Sequence, residues 1–262
     1  MMNRILHSLF VLSFLLILGG CVSSAYQVKP EIYREKVKIL GVLPIIVDAE
    51  STILHPQRAE VLALLQQSAA DKYLRLSQDL SASAGYSAVR PVIIDEKSEL
   101  QLFAEKTLKT NDDGTYRSYL PAHDAVVSLA QSAGVDGLLV VILNGVDSKG
   151  RRWERLSPRY LDANFNEIQA TAMVLAATGE LLWEKNGASG SPFVDLQYAD
   201  FDEAYHNRTD QVAVHFITVD GLSRALLAND KGLFDKEAFS TLYGRLFEKI
   251  SADLKVGKLW QK

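Results

Sequence analysis

The chain has one cysteine in 262 residues, Cys21. A lone thiol cannot close a disulfide within the chain, so the folded part holds together by packing alone. Catalytic signatures are also missing. There is no Gly-x-Ser-x-Gly elbow, no Walker loop and no His-Glu-x-x-His pair. His55, His123, His206 and His215 are scattered. Asp162 to Glu167 starts like a calcium loop but has Glu167 where glycine is needed and Met173 where the closing glutamate belongs. Positive charge is not in excess: 28 basic against 32 acidic residues give a net charge of −4. That disfavours nucleic acid and a polybasic grip on anionic lipid. No cofactor and no metal follow from these patterns. No apolar run reaches the roughly 20 residues a membrane span needs. Ile5 to Leu18 is interrupted by His7, Ser8 and Ser13 and ended by Gly19 and Gly20.

What is present begins with that short run. Arg4 precedes it, Leu9 to Leu18 forms an apolar core, and Leu18-Gly19-Gly20-Cys21 follows. Charged start, apolar middle and small residues at a cleavage point are the parts of a secretory signal. With cysteine directly after them, the segment resembles a bacterial lipoprotein signal. The resemblance implies cleavage between Gly20 and Cys21 and lipidation of Cys21. It also implies a palmitate-type anchor and a mature chain without a free thiol. Val22 stands where inner-membrane retention usually needs aspartate, so the resemblance implies an outer-membrane protein facing the periplasm. Expected boundaries are a signal at 1–20, a lipidated cysteine and tether at 21–35, and a globular domain at 36–262. The tether would extend at most about 50 Å.

Over the whole chain, 48% hydrophobic residues and 9% aromatics are those of an ordinary globular protein. Val37 to Val47 is apolar and β-rich, a buried strand with Pro44 as an awkward member. A helix is expected from Pro56, with Val61, Leu65, Ala69, Tyr73, Leu76 and Leu80 on one face. Val89 to Ile94 reads as a strand, and Leu100 to Leu108 as a helix capped by Asp95. A turn at Asn111 to Gly114 and a helix from Pro121 to Gly134 come next. Asp136 to Leu143 is another buried strand. Ile168 to Ala176 and Glu180 to Lys185, joined by Thr178-Gly179, read as a hairpin. Helices are expected over about 210–229 and 236–254. The fold class that follows is α/β: a single three-layer domain whose mixed sheet combines a parallel portion with an antiparallel hairpin, plus a C-terminal helix.

Three stretches carry a second resemblance: Leu43-Pro44 in the opening strand, Ala133 to Val141, and Val174 to Trp183. They are similar to envelope lipoproteins with an α/β domain like the amino-terminal domain of TolB. That group includes the curli-secretion channel subunit and activators of penicillin-binding proteins. The resemblance implies a fold, and an accessory role in envelope assembly, secretion or transport, more than a reaction.

Two polar segments are candidate contact sites. Arg151, Arg152, Arg155 and Arg159, with Trp153 and Tyr160, mix guanidinium and aromatic groups and suit an anionic ligand or protein surface. Asp200, Tyr205 and His206 sit in an aromatic–acidic stretch with Tyr198, Phe201, Asp202 and Glu203. The expected function is a non-enzymatic, lipid-anchored binding or scaffolding module. Its partners would be the membrane and an envelope protein or a second copy. The alternative is a periplasm-facing hydrolase or glycan-processing enzyme using Asp200, Glu203 and His206, which would gather them in a deep pocket.

Overall fold

Long apolar runs without alternation need cover on both faces, and the fold supplies it. The computed structural model describes residues 25–83, 85–94, 101–112, 114–187, 192–230 and 238–255. In chain order the first elements are α1 (Pro30–Lys36), β1 (Ile39–Val42), β2 (Ile46–Val47), α2 (Arg58–Ala69), α3 (Lys72–Ser83) and β3 (Ala88–Pro91). Then come β4 (Phe103–Asn111), β5 (Gly114–Pro121), α4 (His123–Ala133), β6 (Gly137–Trp153), β7 (Tyr160–Ala176) and β8 (Leu181–Lys185). The last are β9 (Val194–Asp195), β10 (Gln197–Asp200), α5 (Phe201–His206), β11 (Ala213–Phe216), α6 (Val219–Leu227), β12 (Asn229–Asp230), β13 (Phe239–Ser240) and α7 (Thr241–Leu254).

The main sheet follows the path β3-β1-β6-β7-β8, with β2 added on β6 and β9 on β7. β1 pairs in parallel with β3 and β6, and β2 does so with β6. β6–β7, β7–β8 and β7–β9 are antiparallel. The mixed three-layer α/β sheet expected from the sequence is therefore what forms. Successive β6 residues feed opposite cores. Leu139, Val141 and Leu143 meet Leu65, Leu76, Leu226 and Phe247 from α2, α3, α6 and α7. Leu138, Val140 and Ile142 meet Val126 and Ala130 of α4 and Tyr119 of β5. Gly134 ends α4 with φ 61°, and Gly179 turns β7 into β8 with φ 79°, both where only glycine adopts such angles without strain.

Several expectations are corrected. The strand at 37–47 divides into β1 and β2 around Pro44, which has no N–H for a ladder. The long helix divides into α2 and α3 at Ala70 and Asp71, yet both halves pack into the same core. The helix over Leu100 to Leu108 does not form: Phe103–Asn111 is a strand paired with Gly114–Pro121, closed by the anticipated turn. Its proposed cap, Asp95, lies outside the described residues. Thr107, Thr110, Thr115, Tyr116 and Tyr119 face each other's strands in this hairpin, and pairing of such side chains overrides weak helical spacing. The helix expected over 210–229 is the strand β11 followed by α6, and the C-terminal helix begins at Thr241.

Part of the segment expected as a tether is folded. From Ala25 the chain is docked on the sheet: Glu184 N–H donates to Ala25 O and Gln27 N–H to Leu182 O, with Tyr26 bridged to Trp183. Tyr33 of α1 is fully buried. These residues cover the free side of β8. The other edge strand, β3, is short and ends in Arg90 and Pro91, features that discourage strand addition.

Candidate functional site

The arginine-rich segment singled out as a candidate contact site is the outer half of a long β-ribbon. β6 and β7 are 17 residues each and pair without a break from Gly137↔Ala176 to Trp153↔Tyr160. Near the tip, side chains of one face cross-brace the strands. Trp153 and Tyr160 are opposite each other, with ring centroids 5.1 Å apart. The Arg151 guanidinium lies 3.9 Å from the Tyr160 centroid. It also grips Asp162 with two hydrogen bonds, Nε to Oδ1 at 2.7 Å and Nη2 to Oδ2 at 2.8 Å. That fork holds the Asp162 carboxyl below its usual range. On the other face, Arg152 reaches Asp195 at 2.6 Å and Glu167 at 3.2 Å and covers the Phe165 ring at 4.5 Å. Arg159 sits 3.9 Å from Glu154. Arg151 and Arg152 are thus committed to carboxylates of their own chain and stiffen the ribbon.

Beside the ribbon end, β10 and α5 form the second wall of an open groove of about 710 Å³. Trp153, Leu156, Asp195, Tyr198, Asp200 and Phe201 are among its lining residues. The two segments singled out in the sequence, about 40 residues apart, therefore face one space. Arg152, Trp153, Arg155 and Asp200 come together there. Arg151, Arg159, Tyr160, Tyr205 and His206 do not line it; Tyr205 meets His206 edge to face, centroids 5.5 Å apart. Gly20 and Cys21 lie outside the described residues. The groove's outer lip is apolar: Leu156 is 96% and Trp153 56% exposed.

The histidine expected beside Asp200 and Glu203 is replaced by another. His215 of β11, not His206, approaches them, at 3.0 Å from Glu203 and 3.9 Å from Asp200. Its signal lay in the antiparallel register Tyr198↔His215, which no local pattern reveals. A further cluster was not anticipated at all. Asp48 follows β2 and is buried, with Arg117 at 2.6 Å, Lys106 at 3.3 Å and the Tyr119 hydroxyl donating at 3.0 Å. Burial, and next the Asp48 charge, push the Tyr119 hydroxyl far above its ordinary value, so it stays a donor. A cavity of about 300 Å³ adjoins this cluster, at the carboxyl end of a parallel strand where α/β folds often bind ligands. Here Asp48 is already paired with cations from β4 and β5, and the cluster fastens that hairpin to the sheet.

No protein-family model matches the chain, and no curated protein matches it in sequence. Solved structures do resemble it. A neuraminyllactose-binding hemagglutinin homolog from Helicobacter pylori is 7% identical with a TM-score of 0.37, over 85% of this chain and 87% of that one. The PelC dodecamer from Paraburkholderia phytofirmans is 12% identical with a TM-score of 0.23, over 60% of this chain and 76% of that one. Lipoprotein GNA1162 from Neisseria meningitidis is 17% identical with a TM-score of 0.24, over 58% and 86%. These overlaps are too shallow to carry function or assembly across.

Proposed function

We propose that the protein is a lipid-anchored, non-enzymatic binding or scaffolding module of the bacterial envelope, held through Cys21 at the outer membrane and facing the periplasm. The observation that supports this most is the open groove, with its exposed apolar lip, between the ribbon tip and β10–α5. Exposed tryptophan and leucine beside polar walls are the makings of a protein contact. The arginines are a weaker lure for an anion than the sequence suggests, because Arg151 and Arg152 already have carboxylate partners.

The docked N-terminus sets the geometry of this module. From Cys21 to Ala25 the chain spans at most about 14 Å. Ala25 is bonded to β8, which pairs with Ala172 to Leu175 of β7. The ribbon tip lies at the opposite end of β7, about 40 Å of strand from Ala172 at roughly 3.4 Å per residue. With Cys21 as the anchor, the root of the ribbon would stand nearer the bilayer than the groove.

Two experiments test this. Cys21→Ser should move the protein from the membrane to the soluble fraction; retention in the membrane overturns the anchor. A photo-crosslinking residue at position 156 should give a discrete adduct in intact cells. The same probe at Ile93, which is 89% exposed, should not. Equal labelling from both positions, or none from 156, overturns the groove as the contact surface.

A further inference from the structure

At the rim of the groove, three side chains with metal-ligating atoms converge. β10 and β11 pair from Gln197↔Phe216 to Asp200↔Ala213. β10 runs directly into α5, and the chain turns at Asp200. Asp200 Oδ1 accepts the Glu203 N–H at 2.8 Å and so fixes the turn. Its Oδ2 remains, 3.9 Å from His215 Nε2. Glu203 Oε2 lies 3.0 Å from the same nitrogen. One oxygen or nitrogen from each of the three residues lies within 4.8 Å of the others. Tyr198, opposite His215, packs against the imidazole with centroids 5.9 Å apart. A ring nitrogen carries at most one proton. It cannot serve both carboxylates, which also repel each other.

We propose that Asp200, Glu203 and His215 form a binding site for a divalent transition-metal ion of the zinc class. Ligands about 2.0–2.2 Å from a tetrahedral ion stand roughly 3.3–3.6 Å apart. The observed separations of 3.0 Å and 3.9 Å bracket that edge. The three side chains are 23%, 49% and 45% exposed for Asp200, Glu203 and His215, which leaves their ends room to adjust. Two carboxylates supply the charge that a divalent cation needs. The imidazole favours zinc-like ions over calcium and magnesium, which prefer oxygen alone. Asp200 also lines the groove, and the ion's fourth position is left for water or a donor from a bound partner. The site does not depend on the envelope role. Its failure would leave the crosslinking result at position 156 untouched.

The test is zinc titration of the untagged, full-length protein in detergent by calorimetry, with ZnCl2 alone and then with excess CaCl2 or MgCl2. One equivalent should bind at micromolar concentration and resist displacement by either competitor. Affinity should fall at least tenfold in His215→Ala and in Glu203→Gln, and stay unchanged in His206→Ala. Circular dichroism checks that each variant is folded. In nitrogen-15 spectra, zinc should shift the His215 ring Nε2 in the wild-type protein, a readout independent of any variant. No saturable binding up to millimolar zinc overturns the proposal. So does equal affinity in His215→Ala, or an Nε2 signal that ignores zinc.

Discussion

The two halves of the β6–β7 ribbon share one unbroken register and live under different physics. In the inner half, from Gly137 to Val146 and from Glu167 to Ala176, nearly every residue is buried because helices and a hairpin cover both faces. In the outer half the faces are open, and burial alternates or is lost. Hydrophobic burial holds the first. The second is held by its ladder and by cross-strand pairs such as Trp153–Tyr160 and Arg151–Asp162. The boundary is marked by Asn166, a buried amide whose Nδ2 donates to Thr52 O and Val146 O and whose Oδ1 accepts the Leu54 N–H. A strand needs a partner to form, yet it need not be buried to persist once its root is fixed.

This contrast can be broken from either side. Leu139→Ala removes a fully buried side chain at the root and should destabilise the protein by about 2–5 kcal/mol in urea unfolding. Leu156→Ala at the tip should stay within about 0.5 kcal/mol; comparable losses would show that the halves are not distinct. Asn166→Ala should cost about 1–3 kcal/mol, since it leaves buried backbone groups unpaired. Native-state hydrogen exchange should then show the tip opening before the root. Glycines sharpen the same line. A Cβ at Gly145 would lie 2.5 Å from Ile53 Cγ1 and 2.6 Å from Thr52 O, so Gly145→Ala should lower stability by about 1–3 kcal/mol. At Gly150 the first obstacle is the Arg152 guanidinium at 3.0 Å, a side-chain end and not backbone, so Gly150→Ala should lower the unfolding midpoint less than Gly145→Ala.

The smallest effect is in pH. The Arg151 fork lowers the Asp162 pKa. Its contribution is therefore present above the unfolded carboxyl value of about 3.9 and is lost as pH falls through the lower folded value. In Arg151→Ala, Asp162 should titrate at higher pH, nearer the ordinary range, in carbon-13 spectra of its carboxyl. An unchanged midpoint would show that the guanidinium is not the cause.

Legibility followed the same division. The strand at Asp136 to Leu143, the Thr178-Gly179 turn and the helix stop at Gly134 were plain, because continuous apolar runs and glycine turns are local signals. Charged alternation in Phe103 to Asn111 and in Asp147 to Asp162 resembled helix or loop, since exposed strands carry no hydrophobic pattern. The candidate groove was half legible. Its two segments stood out by composition, while their meeting did not.

By itself, the sequence determined the α/β class, the covered central strands and the absence of any thiol chemistry beyond Cys21, because each follows from residue type and near-neighbour spacing. Tertiary structure alone decided that Arg151 and Arg152 face their own carboxylates, that Ala25 to Lys36 dock on the body, and that His215 joins Asp200 and Glu203. Those outcomes depend on which strands pair and in what register. Register is a property of contacts between distant residues, fixed only when the whole chain packs.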